Sequence, residues 1–151
     1  MEINDARVSA ARLCSQQERC SSDIIEKLHQ WQIPDKDIDR ILAFLKKENF
    51  LDDRRYATLY VKDKFRINKW GKIKIRYMLR QKQVPEELIE EALNSLSDND
   101  YRETCLQLLR SKIKSIKDTN PLARKAKLLR FASQRGFESE VIYKAMMRLG
   151  E

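Results

Sequence analysis

The sequence predicts an all-α protein of three tandem three-helix repeats forming an elongated array, straight or curved, and three observations lead to that class. Glycine and proline number only 3 each in 151 residues, roughly a third of their usual joint share of about 12%, so long helices joined by short links are expected. Apolar residues recur at i, i+3, i+4 and i+7, the spacing that lays one buried stripe along a helix. The same unit then occurs three times, as IPDKDIDRILAFL from Ile33, VPEELIEEALNSL from Val84 and FESEVIYKAMMRL from Phe137. The anchors stand 51 and 53 residues apart, a period that marks a repeat architecture.

In the first repeat, residues 1–51, a helix over about 5–18 precedes one whose stripe is Ile24 and Leu28, with Ser21 or Ser22 as its expected N-cap. The third helix takes Pro34 in its first turn, with Asp35, Asp37 and Asp39 at the positive end of its dipole and Ile38, Ile41, Leu42 and Leu45 inward. In the second, residues 52–98, Asp52 and Asp53 cap a helix over about 53–67 that turns Ala57, Tyr60, Val61 and Phe65 inward. Ile75, Met78 and Leu79 mark the next, and Ile89, Ala92, Leu93 and Leu96 the one after Pro85. The third, residues 99–151, repeats the order with a helix over about 99–115, then Leu128 and Ala132, then Gly136 as a stop, then Ile142, Ala145, Met146 and Leu149. A unit of about 50 residues buries too little to stand alone, so neighbours are expected to pack in series.

The net charge of +8 is unevenly spread. It is −1 over residues 1–51, +3 over 52–98 and +6 over 99–151, which points to a partner rich in phosphates or carboxylates. Cys14, Cys20 and Cys105 form no C-x-x-C pair, and His29 is the sole histidine, so neither a disulfide framework nor a metal site is expected. His29 itself reads as a surface residue beside Glu26. Isolated Gly71, Gly136 and Gly150 make no phosphate-cradling loop. With no catalytic constellation and no cofactor motif, the chain reads as a binding protein rather than an enzyme. No run reaches the roughly 20 apolar residues of a membrane helix and the first residues form no signal peptide, so a cytoplasmic monomer is expected.

The densest basic stretch runs from Lys62 to Lys82, with nine basic residues and one acid, Asp63. At 100° per residue, Arg55, Lys62, Arg66 and Lys69 fall in a wedge of about 60° opposite the apolar stripe. On the next helix Ile73, Arg76, Tyr77 and Arg80 share the outer side, with Trp70 and Gly71 at its entry and Lys72, Lys74 and Lys82 close by. Aromatics among cations suit a nucleic-acid backbone with its bases, or a groove on a protein. A second basic patch is expected from Lys112, Lys114, Arg124, Lys125, Lys127 and Arg130.

The segment DDRRYATLYVKDKF (Asp52 to Phe65) and the following NKWGKIKIRYMLRQKQV (Asn68 to Val84) resemble the hallmark of the RecX family of recombination regulators. It consists of an acidic pair, an arginine and an aromatic, an alanine, an aromatic-valine, then Trp-Gly ahead of isoleucine and leucine. ARLCSQQERCSSDIIEKL in the first repeat and KLLRFASQRGFESEVI in the third are similar in a more generic way, so the likeness runs through nearly the whole chain. Two departures stand out. The glycine usual before the third helix is Gln32 and Gln83 here and persists only as Gly136, which bears on loop geometry, and Cys20 stands where the family has a histidine or similar residue. The resemblance implies three tandem three-helix domains. It further implies binding to the RecA filament on single-stranded DNA, with inhibition of strand exchange, ATP hydrolysis and filament growth, and weak or indirect contact with the DNA. The competing expectation is a helical-repeat DNA-binding protein with no recombinase partner, whose binding would collapse steeply with salt.

Overall fold

The computed structural model describes residues 1–151, and all of its regular structure is helical. Nine helices follow in order: α1 (Ile3–Gln16), α2 (Ser21–Gln30), α3 (Asp35–Lys47), α4 (Asp53–Arg66), α5 (Lys72–Gln81), α6 (Glu86–Asn94), α7 (Asp98–Ile113), α8 (Pro121–Gln134) and α9 (Ser139–Arg148). No helix is long and apolar enough to cross a membrane. The helices fall into three copies of a three-helix unit, as the repeat requires. Ile24, Ile75 and Leu128 are fully buried at equivalent positions of α2, α5 and α8, and so are Leu28, Leu79 and Ala132 one turn later. On α3, α6 and α9 the stripes Ile38–Ile41–Leu45, Ile89–Ala92–Leu93 and Ile142–Ala145–Met146 are buried, whereas Leu42 on α3, and Leu96 and Leu149 just beyond the ends of α6 and α9, are half-buried.

The turn between the second and third helix of each repeat has one geometry. After α8, Gly136 takes φ +98. Its N–H donates to the Ser133 carbonyl and the Phe137 N–H to that of Ala132, a Schellman motif with Phe137 packed back on the helix. After α2 the donors are Gln32 and Ile33 to His29 and Leu28, and after α5 they are Gln83 and Val84 to Arg80 and Leu79. Gln32 and Gln83 adopt φ 61 and 58. The missing glycines thus leave the turn unchanged, at a cost of about 1 kcal/mol each for a left-handed residue with a Cβ. Ile33, Val84 and Phe137 are the buried apolar partners of these motifs, which is why the anchors lead each copy of the unit.

The helix starts correct the sequence reading in two places. The N-cap of α2 is Cys20, with extended backbone at φ −94 and ψ 167, rather than Ser21 or Ser22. Its N–H donates to the Asp23 carboxylate at 3.5 Å, while the two serine side chains make contacts outside α2. Pro34 occupies the N-cap of α3 instead of its first turn, and its carbonyl accepts from Asp37 and Ile38.

Contacts divide the chain into two compact units, Met1–Tyr60 with Leu79–Ile89, and Val61–Met78 with Glu90–Glu151. In the first, Ala6 and Ala10 of α1 close over Ile24, Leu28, Ile33, Ile41 and Leu45. In the second, Cys105, Leu106 and Leu109 of α7 pack with the buried residues of α8 and α9. An aromatic row joins Phe65, Tyr101 and Phe137, with ring centroids 5.8 and 5.1 Å apart.

Candidate functional site

Within the first unit, the end of α5 lies against the start of α2. Ser21 donates from its N–H and its hydroxyl to the two oxygens of Asp53, at 2.8 and 2.7 Å. Ser22 Oγ donates to the Lys82 carbonyl at 2.6 Å, and the Cys20 thiol reaches the same oxygen at 4.0 Å. Lys82 Nζ closes the cluster with a 2.8 Å bond to Asp23. Burial works against the Asp23 carboxylate, but the bonds from Lys82 and Cys20 outweigh it and hold its pKa below the ordinary value. Burial raises the pKa of the Cys20 thiol, so it stays protonated and inert.

Two further sequence-selected cations in this unit are committed to carboxylates. Arg55 makes a bidentate pair with Glu18 at 2.8 and 2.9 Å and reaches the Asn49 carbonyl at 3.2 Å. It ties α4 to the link after α1 and does not extend the open basic wedge. Arg80 pairs with Glu86 through two nitrogens, as Lys82 pairs with Asp23. His29 is a surface residue whose Nε2 meets Asp35 at 3.1 Å.

In the second unit, Lys62 and Arg66 of α4 and Lys69 of the following turn are exposed and form no ion pair. They line an open groove of about 860 Å³ facing α7, together with Phe65, Leu96 and Leu108. Lys69 lies beyond the last residue of α4 with φ 58, so the wheel angle that placed it with Lys62 and Arg66 does not apply to it. The turn brings it to the same groove by another route. Trp70 is half-buried, and its ring takes Lys64 Nζ at 5.0 Å and Lys74 Nζ at 4.5 Å from the centroid. Lys72 lies 4.8 Å from the Tyr101 ring centre. Arg76 is bound to Glu90 through two nitrogens at 2.7 and 3.2 Å, which leaves Tyr77 and Ile73 as the exposed apolar groups of α5.

The third-repeat cations split in the same way. Arg124 pairs with Glu151 at 2.7 Å and with the Asp118 carbonyl at 3.1 Å, and Lys127 pairs with Asp118. Lys112 and Arg130 line a small recess of about 280 Å³ next to Phe131, with Lys112 5.2 Å from its ring centre. Lys114 and Lys125 are exposed. Of the seventeen cations and aromatics selected by sequence, the geometry therefore gathers Lys62, Arg66 and Lys69 in one groove and gives Arg55, Arg76, Arg80, Lys82, Arg124 and Lys127 carboxylate partners.

Sequence reasoning missed two contacts. Gly71 N–H donates to the Arg135 carbonyl at 2.7 Å, and Ile73 N–H to that of Gly136 at 3.0 Å. A Cβ on Gly71 would lie 2.4 Å from backbone atoms of Gly136 and Phe137. Beside them the Tyr101 hydroxyl accepts the Lys72 N–H at 2.8 Å and donates to Glu138. Burial, reinforced by Glu138, pushes the Tyr101 phenol far above its ordinary pKa. The Trp-Gly pair was visible in the sequence, but nothing in it named Gly136 as the partner.

The sequence model of the second three-helix domain of RecX matches residues 52–93, and that of the third matches residues 99–146. A regulatory protein RecX of Clostridium acetobutylicum is 37% identical over 123 residues, which cover 79% of this chain and 56% of that protein, so the chain spans little more than half of that relative. One from Chlorobium phaeobacteroides is 35% identical over 133 residues, covering 88% of this chain and 85% of that protein. The crystal structure of RecX from Lactobacillus salivarius superimposes with a TM-score of 0.92, covering 98% of this chain and 96% of that one at 21% identity, which establishes the shared fold.

Proposed function

The chain belongs to the RecX family of regulatory proteins, and from that membership we propose that it binds the RecA filament on single-stranded DNA and restrains its ATP hydrolysis, strand exchange and growth. The observation that carries the reading is the 35% identity over 133 residues to a regulatory protein of that family. The open cations support it. Lys62, Arg66 and Lys69 lie in the segment matched to the second RecX domain and have no carboxylate of their own, so their charge remains available to a partner. The protein acts by binding, as a cytoplasmic monomer, and its contact with DNA is weak or made through the filament. The three repeats divide at residues 51/52 and 98/99, with the second making the principal contact and the exposed cations around α8 a subsidiary one.

The test is the ATPase rate of purified RecA on single-stranded DNA with and without this protein. A lowered rate supports the reading, and an unchanged rate at saturating protein refutes it. Lys62→Glu with Arg66→Glu should abolish the effect while leaving the melting temperature nearly unchanged, since exposed unpaired charges contribute little to folding. Binding to bare DNA that is as tight as binding to the filament, with a steep loss in salt, would instead favour a plain DNA-binding protein.

A further inference from the structure

The groove between α4 and α7 has two chemically different sides. From α4 and its turn come the exposed cations Lys62, Arg66 and Lys69, and from α7 come Thr104, Gln107 and Ser111, which are neutral. Between them lie the apolar Phe65, Leu96 and Leu108. Asp100 and Glu103 of α7 also face the groove, and Glu103 is paired with Arg148 at 2.6 Å.

This arrangement suits a nucleic-acid strand poorly. Single strands are held where bases stack on open aromatic faces along a basic track. The one aromatic ring here is Phe65, which is 7% exposed and already stacked on Tyr101. The cations lie on one side only, and a phosphate chain along the groove would pass the unpaired Asp100. An α-helix about 10–12 Å across, apolar on one face and acidic only along the edge toward α4, can set its carboxylates against Lys62, Arg66 and Lys69 and keep them from Asp100.

We propose that the α4–α7 groove docks an acidic amphipathic helix of a protein partner, its apolar anchors on the half-buried Leu96 and Leu108 and its carboxylates against Lys62, Arg66 and Lys69. The inference deepens the functional reading above, on which it rests only for the identity of the protein that carries the helix.

The experiment uses the full chain and three fluorescein-labelled probes. One is a helical peptide with leucines at i, i+3, i+4 and i+7 flanked by glutamates, the second is the same peptide with lysines for glutamates, and the third is oligothymidylate. Anisotropy should show binding of the acidic peptide alone, with amide resonance shifts confined to α4, its turn and α7. Lys62→Glu with Arg66→Glu should weaken that binding at least tenfold and confer binding of the lysine peptide. Leu108→Gln should also weaken it at least tenfold, with melting of both variants checked in parallel. Because the two cations are exposed, the double variant remains informative even if Leu108→Gln fails to fold. Displacement of the acidic peptide by oligothymidylate, equal binding of the two peptides, or shifts outside the groove would overturn the proposal. An acidic peptide seated in the groove by a protein that leaves RecA ATPase untouched would refute the functional reading and leave this one standing.

Discussion

The contacts at Asp53 and Lys82 and those at Gly71 and Gly136 are the same junction built twice. In each, the start of one repeat's middle helix meets the end of the next repeat's middle helix. Ser21 and Lys72 are equivalent, and so are Lys82 and Arg135, whose carbonyls accept the incoming donor. The first N–H of α2 is received by Asp53, and that of α5 by the Tyr101 hydroxyl. Chemistry separates the two. The first junction is made by side chains, through a serine hydroxyl, a thiol and an ion pair, whereas the second brings backbone against backbone because two glycines allow it. A side-chain junction can absorb substitution by repacking, and a backbone junction cannot.

That contrast can be broken most directly at Gly71. Gly71→Ala puts a methyl 2.4 Å from fixed backbone, so a loss of about 3 kcal/mol is expected in urea unfolding followed by circular dichroism. Ala at the equivalent Cys20 should cost clearly less, and equal losses would dissolve the distinction. Next in size is Asp53→Ala, which strands the Ser21 N–H and should cost about 1–3 kcal/mol.

Acid sharpens the comparison. The Asp23 carboxyl titrates below its ordinary value in the folded chain, so its contribution is fully present above about pH 4, the unfolded value, and is lost as pH falls through the folded one. Asp23→Asn should therefore flatten part of the acid limb of a stability–pH curve. The Tyr101 phenol is displaced in the other direction. Its contribution is present below about pH 10 and fades as pH rises beyond, so Tyr101→Phe should leave the acid limb as it was. The smallest effect is expected at the shared turn, where Gln32→Gly and Gln83→Gly should each add about 0.5–1 kcal/mol by relieving a left-handed φ.

These differences explain what could be read from the chain and what could not. The apolar stripes and the anchors Ile33, Val84 and Phe137 were legible because burial imposes a period on the sequence itself. The turns were half legible. Gly136 announced one, but Gln32 and Gln83 adopt the same conformation without the residue that advertises it. The basic face was the least legible part, because a helical wheel reports direction and not partners. Arg55 shares a wedge with Lys62 and Arg66, yet it is bound by Glu18, 37 residues earlier. Such pairings between distant elements leave no periodic trace.

The junctions also put a clock on synthesis. The start of α2 is completed by the Lys82 carbonyl, 60 residues after Ser22, and the start of α5 waits in the same way for Arg135 and Gly136. At about 5–20 residues per second, the Ser22 hydroxyl and the Gly71 N–H therefore spend roughly 3–13 s turned to water before the carbonyls that receive them have been made. The first two repeats are thus born with their second helices loosely started and are fastened by the next repeat to emerge, whereas α8 carries its own cap in Asn120.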